Sequence, residues 1–254
     1  MELDFASVKD RHLTSLGEKG EHRPIDLLVW GDSHAMSILH VLDALCLKHN
    51  VRAVAATHSA TIPFLDYPCT TRYSMRDDTV PYNWAVASYV KERQIKNVLL
   101  VAAWNGYLPP TANQDEKRKF SDALAKTINF LHQAGARVFL MKDVPKQKYD
   151  VPRVLATAAR FGKDTRQLGL SINEHRARTA FVSELFDGLA SPSVILLDPT
   201  TMLTNEAGLC RAEMDGRALY FDQHHLTIHG EMQLQPLFEP IFQEGVLGYR
   251  ANSN

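Results

Sequence analysis

The sequence is poor in the features that mark membrane, nucleic-acid or metal proteins. No apolar run approaches the roughly 20 residues of a membrane span. The first twelve residues, MELDFASVKDRH, have no apolar core and do not read as a signal peptide. The expectation is therefore a soluble chain without an export address. Charge of either sign is balanced: 28 Lys and Arg against 29 Asp and Glu leave a formal net charge of -1. No basic field points to nucleic acid, and no polybasic patch to a membrane surface. Cysteine is scarce. Cys46, Cys69 and Cys210 allow one intrachain disulfide at most, and no CxxC spacing points to zinc. HExxH and carboxylate clusters are missing and the 11 histidines are scattered along the chain, so no metal and no cofactor are expected.

What is present is a regular alternation. At 254 residues and 45% hydrophobic, the chain is long enough for a substantial core. Five short apolar runs stand out: 25–30 (IDLLVW), 51–56 (VRAVAA), 98–103 (VLLVAA), 136–141 (ARVFLM) and 194–198 (VILLD). Continuous Val, Ile and Leu over so few residues suit strands buried on both faces. Helices are expected between and after them, over 34–49 (with Ile38, Leu42, Leu45 and Leu47), 81–94, 114–134 (with Phe120, Leu124, Ile128 and Leu131), 171–189 and 229–244. Alternating strands and helices predict an α/β fold, a central parallel sheet of about five strands with helices on both faces. Residues 1–24 are polar without a clear period and read as a leader or linker before a domain spanning 25–250. Residues 143–170, broken by Pro145 and Pro152, read as an excursion beside the site.

In open parallel sheets ligands bind outside the carboxyl ends of the strands. Three polar segments share that edge here: GDSH after the first run, HSATIP after the second and WNGY after the third. Ser33 lies in a strand-turn-helix, near free N–H groups and the positive end of a helix dipole. It is either a nucleophile or the N-cap of the helix, a position Ser and Asp both favour. A nucleophilic serine needs a base and an orienting group. Asp222 and His225, three apart in YFDQHHLTIHG, supply both, with Nε2 of His225 left for Ser33. His224, being adjacent, is expected to point elsewhere, and His229 falls in the following helix. Oxyanion donors would be the Ser33 N–H, the Asn105 amide and a backbone N–H near Ala60 and Thr61. Asn105 could instead be simply a turn residue, as Asn-Gly is a strong turn dipeptide.

These blocks, GDSHA, WNGY and DQHHL in this order, resemble the SGNH (GDSL-like) hydrolase superfamily. LVWGDSHA, Trp104 to Tyr107 and LYFDQHHLT look most like the SGNH domain fused to acyltransferase-3 membrane proteins, which O-acetylate bacterial surface glycans such as lipopolysaccharide O-antigen. The resemblance implies a three-layer α/β/α sandwich of SGNH/flavodoxin type. It maps the catalytic serine onto Ser33, the DxxH pair onto Asp222 and His225, and the block asparagine onto Asn105. The usual glycine has no counterpart near 55–62, so a backbone N–H of Ala60 or Thr61 would serve in its place. The usual Cys-Pro-Pro is replaced by TIPF; Cys210 stands where a disulfide partner often sits, with Cys69 its nearest remaining candidate, while Cys46 reads as core.

The implied function is an O-acyltransferase domain that moves an acetyl group through an acyl-serine to a carbohydrate hydroxyl. The acetyl donor would be delivered by an acyltransferase-3 membrane domain, on the periplasmic face of the bacterial inner membrane. Trp104 and Tyr107 could stack on the sugar, Trp104 being equally suited to packing. A carbohydrate acetyl-esterase with the same three residues is the alternative, and a non-catalytic glycan-binding domain a third.

Overall fold

Five buried hydrophobic segments assemble side by side, and the polar turns that follow them collect at one edge. The computed structural model describes residues 2–18, 20, 23–243 and 246–247. In chain order the elements are α1 (Phe5–Lys9), β1 (Thr14–Gly17), β2 (Leu27–Gly31), α2 (Ser33–Met36), α3 (Leu39–Lys48), β3 (Arg52–Thr57) and α4 (Thr79–Glu92). There follow β4 (Asn97–Val101), α5 (Gln114–Gln133), β5 (Arg137–Met141), α6 (Val151–Arg160), β6 (Gly169–Ser171), α7 (Ile172–Leu189) and β7 (Val194–Leu197). Last come α8 (Thr200–Leu203), β8 (Leu209–Arg211), β9 (Glu213–Met214), β10 (Arg217–Ala218), α9 (Ile228–Met232) and α10 (Gln235–Phe238).

The main sheet has six strands in the order β1-β3-β2-β4-β5-β7. β2 through β7 in this sheet are parallel, and β1 closes one edge antiparallel to β3, with Thr14 opposite Ala55. The sheet is thus the expected one plus an edge strand. That strand comes from the stretch expected as a leader, which also carries α1, capped by Asp4. Edge strands pair on one side only and need few apolar residues, so TSLG gave no strong signal.

Alternation along each strand divides the core. Leu28, Trp30, Val98, Leu100, Val138 and Leu140 face a cluster with residues of α4, α5 and α7. Leu27, Val29, Leu99, Val101, Phe139 and Met141 face the other layer, with α3 and the C-terminal helices. All four apolar positions named for α5, Phe120, Leu124, Ile128 and Leu131, are buried. Two expected helices are broken. The 34–49 stretch splits into α2 and α3 at Ser37 and Ile38, leaving Leu47 exposed. The 229–244 stretch becomes α9, α10 and a 3-10 turn at Glu239–Phe242, because Pro236 and Pro240 lack the N–H that a continuous helix needs.

β2 leads to β3 on one side, and β3 crosses back to β4 on the other. The chain reverses direction about β2, so a crevice opens beyond the ends of β2 and β4. Gly31 makes this close approach possible: a Cβ there would lie 1.7 Å from the Val101 carbonyl oxygen.

Cys46 is core, as expected, but the Cys69–Cys210 disulfide does not form. Cys46, Cys69 and Cys210 are all buried free thiols. Cys69 belongs to one core layer, whereas Cys210 sits on β8 with Thr204 Oγ1 3.5 Å from its sulfur. Among the described residues no helix is long and apolar enough to cross a membrane.

Candidate active site

The turn after β2 settles what caps the following helix. Asp32 is the N-cap of α2: its Oδ1 accepts the His34 N–H at 2.8 Å. Its Oδ2 accepts the Ala103 N–H at 3.0 Å and the Tyr107 hydroxyl at 2.8 Å. Burial raises the Asp32 carboxyl above its ordinary value, against those three donors. Ser33 is therefore the first residue inside the helix, not its cap, and its side chain is spent elsewhere. Among the described residues its N–H has no partner, as expected for the first turn of a helix.

Ser33 Oγ lies 2.8 Å from Nε2 of His225. Nδ1 of His225 lies 2.6 Å from Oδ2 of Asp222. The Asp222 Oδ1 also accepts the N–H groups of His224 and His225, both at 2.8 Å. Burial alone would raise the Asp222 carboxyl, but those N–H groups and the His225 ring together hold it down at about 2. It stays charged at neutral pH and fixes a proton on Nδ1. Nε2 then offers a lone pair to the serine O–H, which is the arrangement that lowers the cost of removing a hydroxyl proton. The turn is anchored from the excursion: Gln147 N–H donates to the Gln223 carbonyl at 2.8 Å, and Val151 N–H to the Asp222 carbonyl at 3.2 Å. The segment 143–170 does stand beside the site.

Asn105 arrives from the 3-10 turn Trp104–Tyr107 after β4. Its Nδ2 donates to Asp143 Oδ2 at 2.7 Å, and its backbone N–H to Oδ1 at 3.3 Å. Asp143 follows β5 at the same sheet edge. Burial pushes its carboxyl up to about 7, with Asp32 nearby adding to the rise and the Asn105 donors opposing it. The sequence reading missed Asp143, although its position after the fourth apolar run is the signal that pointed to the other edge segments.

Thr61 is buried, and its hydroxyl donates to the Ser59 carbonyl at 3.0 Å and accepts from Met75 N–H. No hydrogen bond joins it to Ser33, Asn105 or His225 among the described residues. Ala60 has φ +48°, the left-handed conformation for which glycine is the default residue. The backbone shape that a glycine would give is present with an alanine, at a cost of about 1–2 kcal/mol.

Trp104 does not face substrate. It is 0% exposed, donates Nε1–H to the Met141 carbonyl at 2.7 Å and packs edge-on against Phe186. Its indole is core, and stacking on a sugar is ruled out by burial. Tyr107 is half-buried, its hydroxyl engaged by Asp32, its body lining a cavity of about 610 Å³ with Tyr67 and Pro109. Phe221 is the exposed aromatic at the site: it is 57% exposed and stacks on His225 at 5.1 Å and 9°.

His224 points away from Ser33, as expected, but stays beside the site. Its Nδ1 lies 2.8 Å from Nε2 of His34, and its ring is 4.0 Å from that of His225. Neighbours point to opposite sides in a strand, but residues 221–224 form bends, where that rule has no force. Burial, with His225 nearby, lowers the His34 imidazole to about 3; burial, with His34 and His225 nearby, lowers that of His224 to about 4. Both are neutral at pH 7. They line a second cavity of about 290 Å³ with Asn105, Asp143, Lys146 and Arg178. Three of the 11 histidines expected to be scattered, His34, His224 and His225, thus converge in space.

Comparison with known proteins agrees with this architecture. Among solved structures, the periplasmic domain of a Salmonella ser. Paratyphi A lipopolysaccharide acetyltransferase superposes with a TM-score of 0.66 at 19% identity, covering 94% of this chain and 88% of that one. A GDSL-like lipase from Bacteroides thetaiotaomicron VPI-5482 superposes with a TM-score of 0.54 at 10% identity, covering 94% and 95%. At these identities the likeness is one of fold. No curated protein sequence matches the chain. Residues 4–240 match the family model described as SGNH domain (fused to AT3 domains). With nearly its whole length matched, the chain belongs to this SGNH domain family.

Proposed function

We propose that the chain is an O-acetyltransferase domain acting on a carbohydrate hydroxyl through an acyl-serine. The observation that carries this reading is the unbroken chain of hydrogen bonds from Ser33 through His225 to Asp222. Ser33 Oγ attacks the acetyl carbonyl and His225 Nε2 takes its proton. The donor's leaving group departs with that proton, and the acetyl group stays on Ser33. The acceptor hydroxyl then gives its proton to the same nitrogen, attacks the acyl-serine and leaves as the acetyl ester, restoring Ser33. Asp222 holds the His225 ring in the required tautomer. The negative oxygen of each tetrahedral intermediate is held by the Ser33 N–H, the second N–H of the Asn105 amide and the backbone N–H of Thr61.

The acceptor sugar stacks on exposed Phe221 and reaches the cavity lined by Tyr107. The donor comes from a membrane acyltransferase-3 domain, which places this domain in the periplasm. Family membership and the acetyltransferase neighbour support that assignment. A second reading, carbohydrate acetyl-esterase, is favoured by one observation: the Asp222 side chain is 34% and the His225 side chain 18% exposed, so water can reach the intermediate.

The test is hydrolysis of p-nitrophenyl acetate with and without added glycan acceptors, reading both acetate and acetylated sugar. Transfer that rises with acceptor while acetate falls supports the acetyltransferase. Acetate release that no acceptor diverts supports the esterase. Absence of both from a folded chain contradicts each.

A further inference from the structure

We propose that His34, His224 and His225 form a binding site for a zinc-class divalent cation, and that its occupation switches the active site off. One ring nitrogen from each of the three lies within 4.8 Å of the other two. The free nitrogen of His225 is Nε2, because Nδ1 is held by Asp222. His34 Nε2 and His224 Nδ1 already face each other at 2.8 Å. Two neutral imidazoles at that distance share one proton between two nitrogens, a weak use of two good ligands.

Zinc holds imidazole nitrogens at about 2.0–2.1 Å, which puts tetrahedral ligands about 3.3 Å apart. The 2.8 Å between His34 and His224 lies just below that value and no pair exceeds 4.8 Å, so ring shifts of about 1–2 Å close the site. Binding forms three nitrogen-to-metal bonds and breaks two hydrogen bonds: His34 to His224, and Ser33 to His225. The proton between His34 and His224 moves to the other nitrogen of the ring that bears it. No proton is released and nothing is oxidised. Water fills the remaining position, and the ion enters from the cavity of about 290 Å³ that His34 and His224 line. Asp222 on the far nitrogen of His225 strengthens that ligand, whereas Lys146 and Arg178 on the cavity wall repel a cation and keep affinity moderate.

The inhibitory half rests on the reading of His225 as the base, since the metal takes the lone pair that would receive the Ser33 proton. The binding half does not. The chelator-treated chain is titrated with zinc chloride by calorimetry, and p-nitrophenyl acetate hydrolysis is followed over the same zinc range. Wild type, Ser33→Ala and His224→Gln are compared, each checked by a melting scan; His224→Asn replaces His224→Gln if the latter does not fold. The expected result is one zinc in the wild type and in Ser33→Ala, weakened at least about tenfold by the His224 change. Hydrolysis by the wild type falls in step with occupancy, and its zinc dependence shifts by the same factor in the His224 variant. No binding, or equal binding by the His224 variant, overturns the site. Full occupancy with undiminished hydrolysis overturns the switch alone. Binding as expected by chains that hydrolyse nothing leaves the site standing and counts against the proposed function.

Discussion

Asp222 holds the His225 ring at 2.6 Å, and Asp143 holds the Asn105 amide at 2.7 Å. Both carboxylates steady a polar side chain, Asp222 one from its own turn and Asp143 one from another strand end, yet their charges are biased in opposite directions. Asp222, 34% exposed, accepts two backbone N–H groups besides the imidazole and is held at about 2. Asp143, 8% exposed and close to Asp32, is pushed up to about 7. Burial and the sign of the neighbouring charge decide the difference: His225 lies beside Asp222, and Asp32 beside Asp143. A base needs a partner that stays negative, while an amide donor needs only an acceptor that stays in place.

The largest effect expected is at the end of the first chain. Ser33→Ala should lower hydrolysis by roughly 10⁶-fold. Because Asp32 caps α2, the same change should cost no more than about 1 kcal/mol in a denaturant melt. Asp222→Asn should follow, with a loss of roughly 10⁴-fold at most, since an amide at that position favours the wrong His225 tautomer. Its melting point should barely move, as the asparagine oxygen can still accept the two N–H groups.

The second carboxylate should matter less to rate and differently to pH. Asp143→Ala releases Asn105 and should cost roughly 10²-fold in kcat. Asp143 has a raised folded pKa, so the folded chain keeps its proton while the unfolded chain loses it above the ordinary value of 3.8. Stability from this group is full below that pH and is lost as pH rises to about 7, by at most about 1.4 kcal/mol per unit. Asp143→Asn should remove that decline from a series of urea melts between pH 4 and 7. Its persistence would show that another group carries it. The smallest change expected is Phe221→Ala, which should raise KM for a glycan acceptor a few-fold with little effect on kcat.

How much of this was legible before the structure depended on how local each signal is. The five buried runs, α4, α5 and α7 come from patterns complete within one element. GDSH and DQHH were readable because strand end, cap, serine and base partner are each set within a few residues. The edge rule brought Ser33 and Asn105 to one crevice, and it could have brought Asp143. Trp104 was ambiguous because burial depends on Phe64, Phe186 and Met141, all distant in sequence. The His34 and His224 pair was invisible for the same reason: 190 positions separate them. β1 was missed because an edge strand needs little apolar side chain.

The central claim is that Ser33 carries the acyl group. The direct test is to mix the chain with p-nitrophenyl acetate, quench in acid and weigh the intact protein, with the adduct mapped by peptide sequencing. The account predicts a gain of one acetyl group on Ser33 in the wild type and no gain in Ser33→Ala. Hydrolysis that persists in Ser33→Ala, or an acetyl group found on another residue as the competent intermediate, would contradict it.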